Sequence, residues 1–139
     1  MKKKYIDYLS FAHFLSDIAN KDLLKSYKTR NIFRSRKLIK RKYEPVTNVD
    51  LKIETKIRRL INEYYPEHNV LGEEFKNKNK NSNYSWIIDP IDGTKAFTSG
   101  IPVFGFLISL QYKRKNILGL VDLPVLKERF WNNGNYSYL

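Results

Sequence analysis

The chain has 139 residues, 42% of them hydrophobic, a formal net charge of +12 and no cysteine. This length and composition suffice for one compact core and predict a single domain over residues 1–139, while the lack of cysteine excludes a disulfide framework and thiolate chemistry. No stretch approaches the ~20 apolar residues of a membrane span, and Asp7, His13 and Asp17 interrupt any apolar leader core after Met1-Lys2-Lys3-Lys4, so a cytoplasmic protein with no membrane partner is expected.

Apolar residues at Leu9, Ala12, Leu15, Ile18, Ala19 and Leu23 recur at helical spacing, which predicts a first amphipathic helix from Tyr5 to about Tyr27. A basic run follows: Lys25, Lys28, Arg30, Arg34, Arg36, Lys37, Lys40, Arg41 and Lys42, with Tyr27, Phe33 and Tyr43 among them. Such a run can mark a nucleic-acid surface. However, Ile32, Phe33, Leu38 and Ile39 lie inside it and lysine is abundant along the whole chain. A solvated face on a packed connection is therefore the preferred reading, and nucleic acid is disfavoured as a partner.

Pro45-Val46-Thr47-Asn48-Val49-Asp50 opens a second helix, roughly Val49 to Tyr64, with Val49, Ile53, Ile57, Leu60 and Ile61 on one face. Thr47 or Asn48 stands near its cap, and Pro66 forces a stop. Taken alone, Asp50 is a first-turn acid that complements the helix dipole. Leu71-Gly72-Glu73-Glu74 comes next, and paired glutamates by themselves read as a solvated loop or helix start. Asn77 to Asn83 contains no apolar residue and predicts a loop. The two histidines, His13 on a helix and His68 in a loop, have no metal-ligand spacing and read as surface or core residues.

Trp86 to Gly100, WIIDPIDGTKAFTSG, carries the most chemistry. Trp86, Ile87 and Ile88 read as a short buried strand that ends at Asp89, where Pro90 and Gly93 set a turn. A tight turn can bring Asp89 and Asp92 around one hard cation and leave the Ile91 carbonyl as a further oxygen ligand. Oxygen ligands without His or Cys point to magnesium or manganese. The backbone N–H groups of Gly93 and Thr94, at the start of a short helix through Lys95, Ala96 and Phe97, suit a phosphate. The competing reading is an ordinary Asp-capped turn. Beyond it, Phe104, Phe106, Ile108, Leu110 and Tyr112 alternate as a half-buried strand, and Lys113 to Asn116 turns into another, Ile117 to Leu123.

Taken in order, PVTNVD, LGEE and WIIDPIDGT resemble the inositol monophosphatase family of magnesium-dependent phosphatases, from about Tyr27 to the C-terminus. The run Gly93 to Gly105 and the later GLVDLPVLKERF, Gly119 to Phe130, look most like the histidinol-phosphatase branch. The resemblance implies a layered α/β (α+β) sugar-phosphatase fold whose N-terminal half is two helices followed by an antiparallel sheet. It implies that Glu73, Asp89 and the Ile91 carbonyl hold one magnesium ion while Asp89 and Asp92 serve a second. Thr94 and Asp50 would orient the attacking water together with Glu73, and Gly93 and Thr94 would receive the substrate phosphate. In this two-metal chemistry the cations stabilise the attacking and leaving oxygens of an in-line displacement.

Members of the family are nearly twice as long, and their second half carries a Trp-Asp motif that completes the second metal site. Here Trp131 is followed by Asn132, and the chain stops in what resembles a hairpin near the middle of the family fold. The expectation is an N-terminal portion of a phosphate monoesterase acting on histidinol phosphate or a related inositol phosphate. Its partners would be a small phosphorylated substrate and a separate C-terminal half or a second copy. The competing class is a non-catalytic remnant or protein-contact fragment of the same family. Apolar faces around Phe104, Phe106 and Ile108 are expected to lie uncovered.

Overall fold

A computed structural model describes residues 7–29, 34–39, 42–77 and 79–139, with the backbone alone for 34–39 and 42–46. Helix α1 spans Tyr8–Thr29 and buries Ala12, Leu15, Ala19 and Leu23 of the expected stripe together with Phe11 and Ser16, while Leu9 and Ile18 are only partly buried. Asp7 precedes it and accepts the Ser10 backbone N–H at 2.9 Å and the Ser10 hydroxyl at 2.7 Å. These bonds cap the helix start and lower the Asp7 pKa. Tyr5, the expected first residue, lies outside the described residues.

Two strands, β1 (Arg34–Ile39) and β2 (Lys42–Thr47), pair antiparallel in the stretch that the sequence suggested as a connection. Of the basic run, Arg30, Lys40 and Arg41 fall outside the described residues. Helix α2 spans Asn48–Tyr64, and Thr47 is its cap. The Thr47 hydroxyl oxygen accepts the N–H groups of Val49 (3.1 Å) and Asp50 (3.3 Å). In return Asp50 accepts the Thr47 N–H at 2.8 Å and its O–H at 2.5 Å. This reciprocal capping box satisfies donors that the first helical turn leaves without intrahelical partners.

The six remaining strands form one sheet in chain order: β3 (Asn69–Gly72), β4 (Tyr84–Asp92), β5 (Gly105–Tyr112), β6 (Lys115–Leu123), β7 (Glu128–Asn132) and β8 (Ser137–Tyr138). A short helix, α3 (Thr94–Ser99), lies between β4 and β5. The sheet is mixed rather than purely antiparallel, because β3 runs parallel to β4 while all later pairs are antiparallel. The β5–β6 hairpin turns through Lys113 and Arg114 at φ 49° and 65°, the left-handed pair that fits the twist of a two-residue hairpin loop.

Strand alternation divides the sheet into two faces. Trp86 and Ile88, Phe106, Ile108 and Leu110, and Leu118 and Leu120 are buried with α1 and α2 in the core. The expectation that Phe104, Phe106 and Ile108 lie uncovered is therefore wrong: all three are at most 2% exposed, Phe106 and Ile108 because the helices cover their face of the sheet and Phe104, just before β5, because it packs on Tyr27 and Phe97. The opposite face carries Ile87, Asp89, Leu107 and Val121, each partly exposed.

Two polar clusters fix the helices, one to the sheet and one to each other. Arg129 donates to Asp122 at 2.5 Å and to Asp17 at 2.6 Å, and the Ser16 hydroxyl donates to Asp122 at 2.7 Å, tying α1 to β6 and β7. Between α1 and α2, Asp22 accepts from Lys52 and Lys56 at 2.7 and 2.6 Å. Among the described residues no helix is long and apolar enough to cross a membrane.

Candidate metal and phosphate site

Strand β4 runs on past Ile88 to Asp92, so Asp89 lies inside the strand and not at its end, as the sequence had suggested. Register explains how the two aspartates nevertheless converge. Asp89 faces Leu107 and Asp92 faces Gly105, so β4 spends one residue more than β5 over this interval, which is a β-bulge. Without it, residues three apart on a strand would point to opposite faces. With it, Pro90 and Ile91 are both buried, while Asp89 is partly exposed and Asp92 exposed. The bulge thereby returns Asp92 to the side that Asp89 occupies.

After the bulge the chain enters α3 through Gly93, at φ 80° and ψ 40°. A Cβ there would also stand 3.0 Å from the Val103 carbonyl oxygen, so both conformation and space favour glycine. The Thr94 hydroxyl donates to the Ile91 carbonyl at 2.9 Å, and the Phe97 N–H closes on the Gly93 carbonyl at 3.0 Å. Glu73 follows β3, which lies beside β4 with Gly72 opposite Ile88. Glu73 and Asp89 border one groove of about 540 Å³ on the open face of the sheet, whose remaining wall is mainly apolar.

The electrostatics centre on Asp89. Burial, with like charge from Glu73, Asp92 and Asp50, pushes its carboxyl up to about 7, against the opposing backbone N–H of Ile91. Its Oδ1 is buried and has no hydrogen-bond partner among the described residues. A buried carboxylate oxygen without a donor, among like charges, is costly unless a cation compensates it. This oxygen, with nearby oxygen ligands only, fits a hard divalent cation. Among the described residues no three His, Asp or Glu side chains already stand close enough to enclose one ion. The carboxylates thus interact through space without forming a closed cage, as mutual repulsion favours.

Asp50 belongs to the same charge cluster as Asp89, and the Thr47 capping box holds it. His68 is a core residue: it accepts the Trp86 indole N–H at 3.1 Å and stacks between Tyr65 and Tyr84 at 4.9 and 4.6 Å. Burial lowers its pKa, with a smaller push from Lys80. His13 lies 3.2 Å from an Arg129 nitrogen and edge-on to Trp131, outside the carboxylate cluster.

The sequence reading missed Glu54. This α2 residue is fully buried and accepts the backbone N–H groups of Glu74 at 2.7 Å and Phe75 at 3.2 Å, the two residues after Glu73. Its signal was present as an acid inside the apolar stripe Ile53, Ile57, Ile61, where a solvated glutamate has no place.

Comparison with known proteins shows the family. The profile of the inositol monophosphatase family matches residues 7–138. Bifunctional phosphatase IMPL2 of Arabidopsis thaliana is 49% identical over 62% of this chain and 25% of its own length. A histidinol-phosphatase of Streptomyces coelicolor is 34% identical over 91% of this chain and 48% of its own. The crystal structure of the extragenic suppressor protein suhB of Bartonella henselae superposes with a TM-score of 0.85 at 26% identity, over 94% of this chain and 50% of that one. The chain spans about half the length of the relatives it matches.

Proposed function

We propose that this chain, which belongs to the inositol monophosphatase family, forms the cation- and phosphate-binding part of a magnesium-dependent phosphate monoesterase. The observation that carries this reading is the buried, partnerless Oδ1 of Asp89, set among Glu73, Asp92 and Asp50. Glu73, Asp89 and the Ile91 carbonyl would hold one magnesium ion, and Asp89 with Asp92 would serve a second. Bound magnesium would supply positive charge and Lewis acidity beside the phosphorus.

The chain's own groups then have distinct tasks. Thr94 donates its hydroxyl proton to the Ile91 carbonyl, which leaves the hydroxyl oxygen as an acceptor able to orient a water. Asp50, held by Thr47, supplies charge on the same side of the site. The left-handed Gly93 brings backbone N–H groups of Gly93 and Thr94 to the turn, where a phosphate can be received without a side chain intervening. Glu73 completes the carboxylate set from the loop after β3.

The substrate we favour is histidinol phosphate, supported by the name of the Streptomyces relative. Inositol phosphate, after the family's name, is the second candidate. The test supplies the chain with the C-terminal remainder of that relative and measures release of inorganic phosphate from each ester. Magnesium-dependent release that Thr94→Ala and Glu73→Gln abolish is expected, with near-background release from the chain alone. Release that survives both substitutions, or none from a folded mixture, contradicts the proposal.

A further inference from the structure

Glu73 sits on a loop, yet a metal ligand must be held to within a fraction of an ångström. What holds it comes from α2. The Glu74 N–H belongs to the peptide unit that begins at the Glu73 carbonyl, so the bond from Glu54 Oε2 fixes that plane directly. Glu54 Oε1 takes the next N–H, that of Phe75, and also the Arg58 Nε at 2.8 Å.

The Arg58 guanidinium extends the clamp. It donates to the carbonyls of Val70 and Phe75, each at 3.2 Å, and to Asn77 Oδ1 at 3.0 Å. The same Asn77 oxygen accepts the Gly72 N–H at 3.0 Å. Both sides of Glu73 are therefore tied to one helical turn. Gly72 is part of the arrangement, since a Cβ there would fall 2.2 Å from Glu54 Oε1. Asp50 precedes Glu54 by one turn on the same buried face of α2, so a single rigid element sets the position of Asp50 and of Glu73 together.

We propose that Glu54 is a positioning residue for Glu73, fixing the loop at residues 72–77 so that the Glu73 carboxylate meets the cation. This rests on the reading of Glu73 and Asp89 as metal ligands. Glu54→Gln is the informative change, because both carboxylate oxygens accept N–H donors and an amide NH2 must confront one of them.

The experiment titrates the full 139-residue chain with Mn2+ alone, following free Mn2+ by electron paramagnetic resonance, and measures amide exchange at Glu74 and Phe75 by NMR. Glu54→Gln should weaken Mn2+ binding by roughly 10- to 100-fold, the usual range for groups behind metal ligands, and speed exchange at both amides. Ile57→Val, on the same helix, should leave Mn2+ affinity unchanged even where its melting temperature falls as far. Wild-type affinity in a folded Glu54→Gln chain overturns the positioning role alone. Wild-type chain that shows no Mn2+ binding sensitive to Asp89→Asn overturns the metal reading and the proposal with it. If Glu54→Gln does not fold, Gly72→Ala displaces the same carboxylate from the loop side, and retained affinity there overturns the role equally.

Discussion

Asp89, the proposed metal ligand, is held at a cost to the fold. Its carboxyl is raised to about 7, so the folded chain keeps a proton that the unfolded chain gives up near the ordinary carboxylate range. Stability from this group is therefore full below about pH 4 and declines as pH rises through about 7. In chelator, Asp89→Asn should melt close to wild type at pH 4. At pH 8 it should be more stable by on the order of 1 kcal/mol, a discounted figure because the residue is partly exposed. Parallel thermal melts at the two pH values check this, and equal destabilisation at both would contradict it.

Of the proposed ligands, Asp89 and Asp92 stand out in the sequence through the run WIIDPIDGT, whereas Glu73 is singled out only through the family resemblance. Glu54 is marked as buried by its place inside the apolar stripe of α2, but the loop it holds lies some twenty residues along the chain.

At the scale of elements, α1, α2, β5 and β6 follow from periodicity, while β1, β2, β3 and the bulge do not. Asp89-Pro90-Ile91-Asp92 reads as a turn from composition alone. Its extended course depends on pairing with β5, a partner distant in sequence that no local propensity reveals. Gly93 is the pivot between this strand and α3. Gly93→Ala should destabilise by about 1–2 kcal/mol from the left-handed conformation alone, with more from the approach to the Val103 carbonyl. A denaturant midpoint unchanged by the substitution would show that the turn relaxes.

The Ser16–Asp122–Arg129–Asp17 cluster was likewise hidden, since its members lie at opposite ends of the chain. Asp122 is buried, so Asp122→Ala leaves the Arg129 guanidinium without a central partner and should cost about 3 kcal/mol. Urea denaturation measures that loss, and a near-neutral result would show that Asp17 alone suffices.

On the scale of the whole molecule, the sheet has one face under two helices and one face open. The groove of about 540 Å³ on the open face combines Leu71, Ile87, Leu107 and Val121 with the carboxylates of Glu73 and Asp89. An apolar wall of this kind on a sheet favours contact with another surface. The chain should bind a hydrophobic dye and self-associate with rising concentration in sedimentation velocity, and Val121→Lys should reduce both. A monodisperse, dye-free wild type would show the face to be inert. The sequence indicated an uncovered face but assigned it to Phe104, Phe106 and Ile108. Alternation alone cannot tell which side of a strand the helices cover.

The central claim is that divalent cations bind on this face at Asp89, one with Glu73 and a second with Asp92. Paramagnetic broadening of backbone amides by substoichiometric Mn2+ tests it most directly. The account predicts loss of signal centred on residues 72–74 and 88–94 that Asp89→Asn removes, whereas broadening centred elsewhere, or unaffected by Asp89→Asn, would contradict it.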